Sequence, residues 1–232
     1  MGLLAVVERD YVALTEIYLA RNRGLGRHWY EIDGRRFEVF ENVFSPEVFE
    51  DTAFFARALL RRISQGSLLE VGSGAGVIAV LAALNGAAPV VATDRSPAAV
   101  ENTAHNAELF RAQVQTRLGH LFEPIGPGER FDTIFWNPPF ISHNGSSSDE
   151  LARAVFDPEY RTLARYLCQG PHLLTPGGRL FFGFSSTSGD PRGLRDLAAG
   201  LGLCLRESEA TVLPDRQSPG FSLELYEATR GA

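Results

Sequence analysis

The sequence contains no lysine, so all 22 of its basic residues are arginines, and 28 acidic residues outnumber them. The resulting net charge of −6 counts against a large nucleic-acid footprint, because neutralisation of phosphates drives that kind of binding. No apolar run reaches the roughly 18 residues that a membrane-spanning helix needs. The N-terminus carries acidic residues early and lacks the basic start and cleavage site of a signal peptide. We therefore expect a cytoplasmic protein without membrane segments.

Cysteine is also scarce. Cys168 and Cys204 lie far apart in the sequence, and neither has the spacing of a metal ligand. We expect both to be buried free thiols in a reducing compartment, and we expect no metal site.

Residues 1–45 predict an extension that precedes the main domain. Apolar residues at helical spacing predict a helix over residues 3–21. Within residues 28–40, two alternating runs flank Asp33-Gly34, which is a strong signal for a β-hairpin. This hairpin can pair with the rest of the chain or with a second copy, so the sequence does not set the oligomeric state.

Residues 46–232 predict a single α/β domain. Ser45 and Pro46 suit the cap and first position of a helix of about four turns over residues 45–62. From residue 66 onward, short apolar strands alternate with helical segments, which favours a mostly parallel sheet covered on both faces. Two strands close the chain. The expected fold class is α/β.

A glycine-rich turn follows the first strand of this domain, in "LLEVGSGAGVIAV". Gly72, Gly74 and Gly76 allow the backbone to turn tightly and to approach a ligand closely. The next strand ends in Asp94, which can accept hydrogen bonds from both ribose hydroxyls of an adenosine-containing ligand. Glu70, just before the first glycine, suits a ligand with a cationic centre better than a pyrophosphate.

Several motifs in order carry a resemblance to a known family. "EVGSGAG", "TDRSP" and "NPPF" resemble class I S-adenosylmethionine (SAM)-dependent methyltransferases, in the N-methyltransferase branch with the Asn-Pro-Pro-aromatic signature. "GHLFEP" and "FSPEVFEDT" are similar to segments of the glutamine methyltransferases that modify release factors, and "LLTPGGRL" resembles the turn into their fifth strand. The resemblance covers about residues 40–205 and implies SAM as the cofactor. It also implies a Rossmann-like class I methyltransferase sheet, mostly parallel with an antiparallel final strand.

The resemblance also implies the roles of individual residues. Asn137 Oδ1 and the Pro138 carbonyl would accept hydrogen bonds from a planar nitrogen and aim its lone pair at the methyl group, while Phe140 stacks on the planar group. His120 stands where the family often has an acid that meets adenine, and the Leu121 N–H can serve adenine instead. The implied cofactor-binding residues are Thr52, Glu70, Gly72, Gly74, Gly76, Asp94, His120, Leu121 and Asn137.

The methyl acceptor stays open among three classes. We expect a protein side-chain amide first, a small-molecule amine or amide second and a nucleobase third, because of the acidic net charge. Two hypotheses from other classes are a SAM-binding scaffold without activity and a nicotinamide oxidoreductase. Glu70 and the NPPF motif disfavour the second of these. Glu50, Asp51 and Thr52 are expected to cap a helix, although the resemblance implies that Thr52 lies near the cofactor.

Overall fold

The computed structural model describes residues 10–63, 65–143, 151–213 and 221–231. The N-terminal part contains one long helix, an antiparallel hairpin and two shorter helices. In chain order these elements are α1 (Tyr11–Leu25), β1 (His28–Ile32), β2 (Arg35–Val39), α2 (Pro46–Phe49) and α3 (Thr52–Leu60).

A seven-stranded sheet with helices on both faces forms the centre of the molecule. Its strands are β3 (Leu68–Val71), β4 (Val90–Asp94), β5 (Val114–Leu118), β6 (Phe131–Trp136), β7 (Leu174–Phe184), β8 (Leu203–Leu213) and β9 (Phe221–Arg230). The remaining helices are α4 (Val77–Leu84), α5 (Pro97–Leu109), α6 (Arg161–Gln169) and α7 (Pro191–Gly200). Short 3-10 helices span Ala152–Ala154, Pro158–Tyr160 and Gly170–Leu173.

The strand order is β5-β4-β3-β6-β7-β9-β8, and β9 runs antiparallel to the other six strands of this sheet. The predicted Rossmann-like sheet with an antiparallel final strand is therefore confirmed. The chain proceeds outward from β3 to β5 and then returns to the other side of β3 as β6. This reversal creates a switch point between the carboxyl ends of β3 and β6, which is where ligands bind in sheets of this type.

The sheet separates two apolar layers, because successive side chains of a strand point to opposite faces. Phe135 of β6 packs with α3, α4 and α5 on one face. Its neighbours Ile134 and Trp136 pack with α6 and α7 on the other face. The central strands are buried on both sides and are fixed in register, so the ends of β3 and β6 form a rigid platform.

The hairpin β1–β2 packs on the same core as the sheet. Phe37 and Val39 are fully buried in the layer that contains α4 and α5. Two buried asparagines of α5, Asn102 and Asn106, hydrogen-bond to the backbone of β2, each donating to the Glu38 carbonyl at 2.7 and 2.8 Å. Pairing of the hairpin with the rest of the chain is thus observed, while the domain boundary after residue 45 stays a prediction.

The single helix predicted over residues 45–62 is wrong. Ser45 and Pro46 begin a helix as expected, with Ser45 Oγ accepting from the Glu47 N–H, but that helix ends at Phe49. Glu50 then adopts a left-handed conformation with φ 59°, and α3 starts at Thr52. Because of this interruption, Asp51 lies immediately before α3 and not inside one continuous helix.

Three other features differ from or qualify the sequence predictions. The predicted N-terminal helix is observed as Tyr11–Leu25, and residues 1–9 lie outside the described residues.

Cys168 and Cys204 are exposed free thiols, so their predicted burial is wrong. On α6, Leu167 faces the core and Cys168 lies on the outer side. Among the helices that the structure describes, none has the length and apolar character required to cross a membrane.

Candidate active site

The glycine turn after β3 requires glycine for two separate reasons. Gly72, Gly74 and Gly76 all have positive φ, at 65°, 54° and 75°. A Cβ at Gly76 would come within 2.9 Å of the Thr103 Cα, and one at Gly72 within 2.8 Å of the Trp136 indole nitrogen. A Cβ at Gly74 would meet nothing within 4 Å, because this residue borders the cavity described below. The turn therefore leaves open space for a ligand beside Gly74.

Asp94, at the end of β4, is held in place by backbone amides. Its two carboxyl oxygens accept from the Gly74 N–H at 3.0 Å and the Ser96 N–H at 2.9 Å. Burial raises the pKa of this carboxyl above its ordinary value, and the backbone hydrogen bonds partly oppose that effect. One acid thus ties the glycine turn to the start of α5 and also lines the cavity.

Glu70 lies at the end of β3 and is almost completely buried. Its Oε2 accepts from the Ala79 N–H in the first turn of α4 at 2.8 Å. Burial raises the pKa of Glu70 to about 8, and the charge of Asp94 adds to that effect. At neutral pH the carboxyl is therefore mostly protonated, which keeps an unpaired negative charge out of the interior.

Asn137 follows β6 directly and is one of the residues that line the cavity. Its Nδ2 donates to Asp51 Oδ2 at 2.9 Å. Its Oδ1 is buried and has no hydrogen-bond partner among the described residues. A buried acceptor without a donor is costly, so this oxygen is a strong candidate for contact with a ligand N–H.

Asp51 is a polar site residue that sequence reasoning missed. It occupies the position before α3 but makes no capping hydrogen bond with its side chain, so the expected cap is wrong. The carboxyl instead accepts from Asn137 and from Thr52 Oγ1, the latter at 3.3 Å. Burial raises its pKa to about 6, and the hydrogen bonds from Asn137 and Thr52 limit that rise. The sequence signal that could have indicated this role is the acidic pair Glu50-Asp51 before a helix. That pattern is equally typical of a helix cap.

Phe140 lines the cavity and is held in place by contacts of its ring and its backbone. Its ring lies 6.1 Å from Phe55 and 6.4 Å from Phe184, between centroids, and it also lines the cavity. Its carbonyl accepts from the Tyr160 hydroxyl at 3.0 Å. The segment after the two prolines is thus fixed by both its ring and its backbone.

His120 and Leu121 line the cavity next to the end of β5. The His120 Nδ1 lies 3.2 Å from Nη1 of Arg165, and burial together with the charges of Arg165 and Arg95 lowers the pKa of the imidazole. A neutral imidazole that accepts from Arg165 fits this geometry. Leu121 has a positive φ of 51° and is buried, and its carbonyl accepts from Thr93 Oγ1.

A single cavity of about 740 Å³ connects all of these groups. One end is formed by the glycine turn, Asp94, His120 and Leu121, and the other by Asp51, Asn137, Pro138 and Phe140. Side chains that the sequence did not assign to the site also line the cavity. They come from α1 (Tyr11, Leu14 and Tyr18), from the segment after the NPPF motif (Leu151 and Val155) and from the ends of β8 and β9 (Leu213 and Phe221).

The cavity fits a molecule with the chemistry of SAM. The glycine turn leaves room beside the backbone, Asp94 provides acceptors at the end of β4, and Glu70 provides a carboxyl that a nearby cation would ionise. Beyond them lies an acceptor oxygen without a donor at Asn137. One cavity therefore offers places for a methyl donor and for a nitrogen that receives the methyl group.

Comparison with known proteins agrees with this geometry. The family model for the methyltransferase small domain matches residues 35–209. The chain is 28% identical to a putative protein N5-glutamine methyltransferase of Methanocaldococcus jannaschii, over 72% of this chain and 84% of that protein. It is 32% identical to the release factor glutamine methyltransferase of Cereibacter sphaeroides, over 78% of this chain. It spans 66% of the length of that bacterial relative and 39% of the one from Geobacter sulfurreducens.

Solved structures share the fold at lower identity. A 16S rRNA N2 G1207 methyltransferase of T. thermophilus, solved with AdoMet and guanosine, superposes with a TM-score of 0.62 at 20% identity, over 88% of this chain and 50% of that one. A ribosomal protein L11 methylase of Lactobacillus delbrueckii superposes with a TM-score of 0.59 at 16% identity, over 82% of both chains. At the level of the family, the predicted SAM-dependent methyltransferase is confirmed. Because the family model covers well over half of the 232 residues, the chain belongs to the methyltransferase small domain family.

Proposed function

We propose that the protein transfers a methyl group from SAM to the side-chain amide nitrogen of a glutamine in a protein substrate. The observation that carries this proposal is the buried Oδ1 of Asn137, an acceptor without a donor among the described residues, on a residue that lines the same cavity as the glycine turn. An amide NH₂ group supplies the missing donor.

In this proposal the cofactor lies at the end of the cavity nearest β3 and β4. Gly72, Gly74 and Gly76 allow its close approach to the backbone, and the remaining lone pairs of Asp94 accept from its ribose hydroxyls. Glu70 provides negative charge for its cationic groups. Thr52, His120, Leu121 and Asn137 complete the surroundings of the cofactor.

The acceptor nitrogen is held at the opposite end. An amide nitrogen is a weak nucleophile because its lone pair is delocalised into the carbonyl. Asn137 Oδ1 and the Pro138 carbonyl each accept one N–H, which fixes the nitrogen and favours the pyramidal geometry in which the lone pair is available. Phe140 supports the planar group from one side. Alignment and fixed dipoles of this kind supply most of the rate in such a site.

When bound, SAM would supply an electrophilic methyl carbon, with S-adenosylhomocysteine as the leaving group, so that the N–C bond would form as the S–C bond breaks. The methylated nitrogen would then lose a proton to water. The hydrogen bonds to Asn137 and Pro138 stabilise the positive charge that develops on the nitrogen, so no strong base is required.

Two similarities support a protein amide as the acceptor. The archaeal relative is a putative protein N5-glutamine methyltransferase, and the Cereibacter relative is a release factor glutamine methyltransferase. The cavity also combines polar acceptors with apolar side chains from α1 and from the ends of β8 and β9, which suits the methylene groups and terminal amide of a glutamine side chain. We further propose that the enzyme acts in the cytoplasm.

Incubation with labelled SAM and a fractionated lysate tests this proposal. We expect label in the protein fraction, and mass spectrometry should find N5-methylglutamine in the labelled peptide. Asn137→Ala run in parallel should leave that peptide unlabelled. Label in RNA, DNA or metabolites would contradict the protein substrate, and absence of both labelling and SAM binding would favour a scaffold.

A further inference from the structure

Asn137 can function as an acceptor only in one of two orientations. The oxygen and NH₂ of its side-chain amide are nearly identical in shape, so packing alone does not decide which one faces the cavity. If the amide were flipped, Oδ1 would lie against a carboxyl oxygen of Asp51 and the NH₂ would face the substrate. An incoming amide nitrogen would then meet a donor instead of an acceptor.

The Asp51 carboxylate removes this ambiguity. It accepts from Nδ2 at 2.9 Å, and an ionised carboxylate has no proton to offer to Oδ1. A charge-assisted hydrogen bond of this kind is roughly twice as strong as one between neutral groups. Asp51 is buried and Asn137 is half-buried, so water competes little for this hydrogen bond and the preference for one orientation is preserved.

The local fold places Asp51 beside Asn137, and α3 loses a capping hydrogen bond as a result. The left-handed turn at Glu50 interrupts the helical segment, and Asp51 gives up the capping hydrogen bond that its position allows. Gly183 on the neighbouring strand leaves space for the Asn137 amide, since a Cβ there would lie 2.7 Å from Oδ1. These features hold the two side chains together although they are 86 residues apart in sequence.

We infer that Asp51 is a positioning residue, whose carboxylate orients the Asn137 amide so that Oδ1 accepts from the methyl-acceptor nitrogen. The inference rests on the proposed function of Asn137 and extends it to a residue that does not touch the substrate. Protonation of Asp51 would let it donate to Oδ1 and would withdraw the acceptor from the cavity.

Other titratable groups surround Asp51 on several sides. Tyr30 of β1 has a pKa raised to about 12 by burial, with the charge of Asp51 contributing, so it stays neutral across the usual range. Glu50 is adjacent in the chain, and Glu70 and Asp94 line the same cavity from the strand ends. Assays at saturating SAM keep the titration of Glu70 and Asp94 from entering the measured turnover.

The variant Asp51→Asn tests the inference. We expect a SAM dissociation constant within about twofold of the parent, and a kcat lower by roughly twofold or more, because the unproductive amide orientation is then at least as accessible as the productive one. In the parent, kcat should fall as the pH drops through about 6, where Asp51 binds a proton. The variant should lack this acid limb. Glu47→Gln, an exposed acid of the same segment, is the matched control and should match the parent throughout.

A second measurement needs no variant that might fold poorly. The side-chain NH₂ signals of Asn137, followed by NMR in the protein without substrate, should shift with a midpoint near pH 6. Absence of any transition between pH 5 and 7, or an Asp51→Asn variant with parental kcat and an unchanged acid limb, would overturn the inference. If Asn137→Ala also keeps its turnover, the proposed function of Asn137 fails instead, so the two failures are distinguishable.

Discussion

Replacing Gly183 by alanine tests the geometry of the acceptor site without removing any polar group. Gly183 lies in β7 beside β6, and a Cβ built there would lie 2.7 Å from both Asn137 Oδ1 and Phe55 Cζ. Phe55 is fully buried and packs against Phe135 and Phe140, so it has little room to retreat. The added methyl group must therefore displace the Asn137 amide.

The size of the displacement follows from these distances. Ordinary van der Waals contact begins at 3.4 Å, so a neighbour found at 2.7 Å must retreat by roughly 0.7 Å. A misplacement of about 1 Å in an active site costs on the order of 100-fold in rate. We expect Gly183→Ala to lower kcat by roughly 10- to 100-fold. Overpacking should also reduce the free energy of unfolding by about 1–3 kcal/mol.

The assay compares turnover with cofactor binding. Steady-state methylation gives kcat, and isothermal titration gives the SAM dissociation constant, which should change little because Gly183 is not part of the cofactor end of the cavity. Gly200→Ala is the matched control, since its Cβ would meet nothing within 4 Å. A folded Gly183→Ala protein with the kcat of the parent would refute the assigned position of the Asn137 oxygen.

Three further results are expected. Asn137→Ala should remove most turnover while SAM binding stays close to that of the parent; equal activity by labelled methyl transfer would exclude the assigned role. Asp94→Ala should raise the SAM dissociation constant by roughly tenfold or more, because the ribose hydroxyls lose a charged acceptor and each such bond contributes about 1.5–3 kcal/mol; an unchanged constant in titration calorimetry would count against it. Glu70 has a pKa of about 8, so cationic SAM should displace its proton at pH 7 and bind more tightly as the pH rises towards 8. Calorimetry in buffers of different ionisation enthalpy should detect the released proton in the parent and not in Glu70→Gln.

The same pKa fixes how Glu70 affects stability. The folded protein binds this proton more tightly than the unfolded chain, since burial raises the pKa from 4.5 to about 8. The bound proton of Glu70 therefore adds fully to the free energy of unfolding below pH 4.5. This stabilisation decreases between pH 4.5 and 8, by at most about 1.4 kcal/mol per pH unit for one proton. Thermal unfolding without ligand should show a flatter pH dependence for Glu70→Gln than for the parent.

Sequence patterns were sufficient to predict the sheet and the cofactor end of the cavity. Alternating strands and helices imply right-handed crossovers, and these bring the ends of successive parallel strands to one edge. The glycine turn and Asp94 both follow strands directly, so their proximity was predictable from local patterns alone. The same holds for Asn137, which follows β6 and meets them at the switch point.

The acceptor end was less predictable because it depends on contacts between distant segments. Ser45, Pro46 and the following helix formers fit one continuous helix, and nothing local signals that Glu50 turns left-handed. With that turn, Asp51 is placed to accept a hydrogen bond from Asn137, a residue 86 positions later. The walls from α1 and from β8–β9 likewise depend on tertiary packing, which the periodicity of a helix or strand does not specify.

The central claim is that Asn137 Oδ1 receives a hydrogen bond from the nitrogen that becomes methylated. A crystal structure with S-adenosylhomocysteine and a glutamine-containing peptide tests it most directly. We predict the glutamine amide nitrogen within about 3.2 Å of both Asn137 Oδ1 and the Pro138 carbonyl, with Asp51 still bonded to Asn137 Nδ2. A glutamine amide bound elsewhere in the cavity, with Asn137 Oδ1 satisfied by another group of the protein, would contradict the claim.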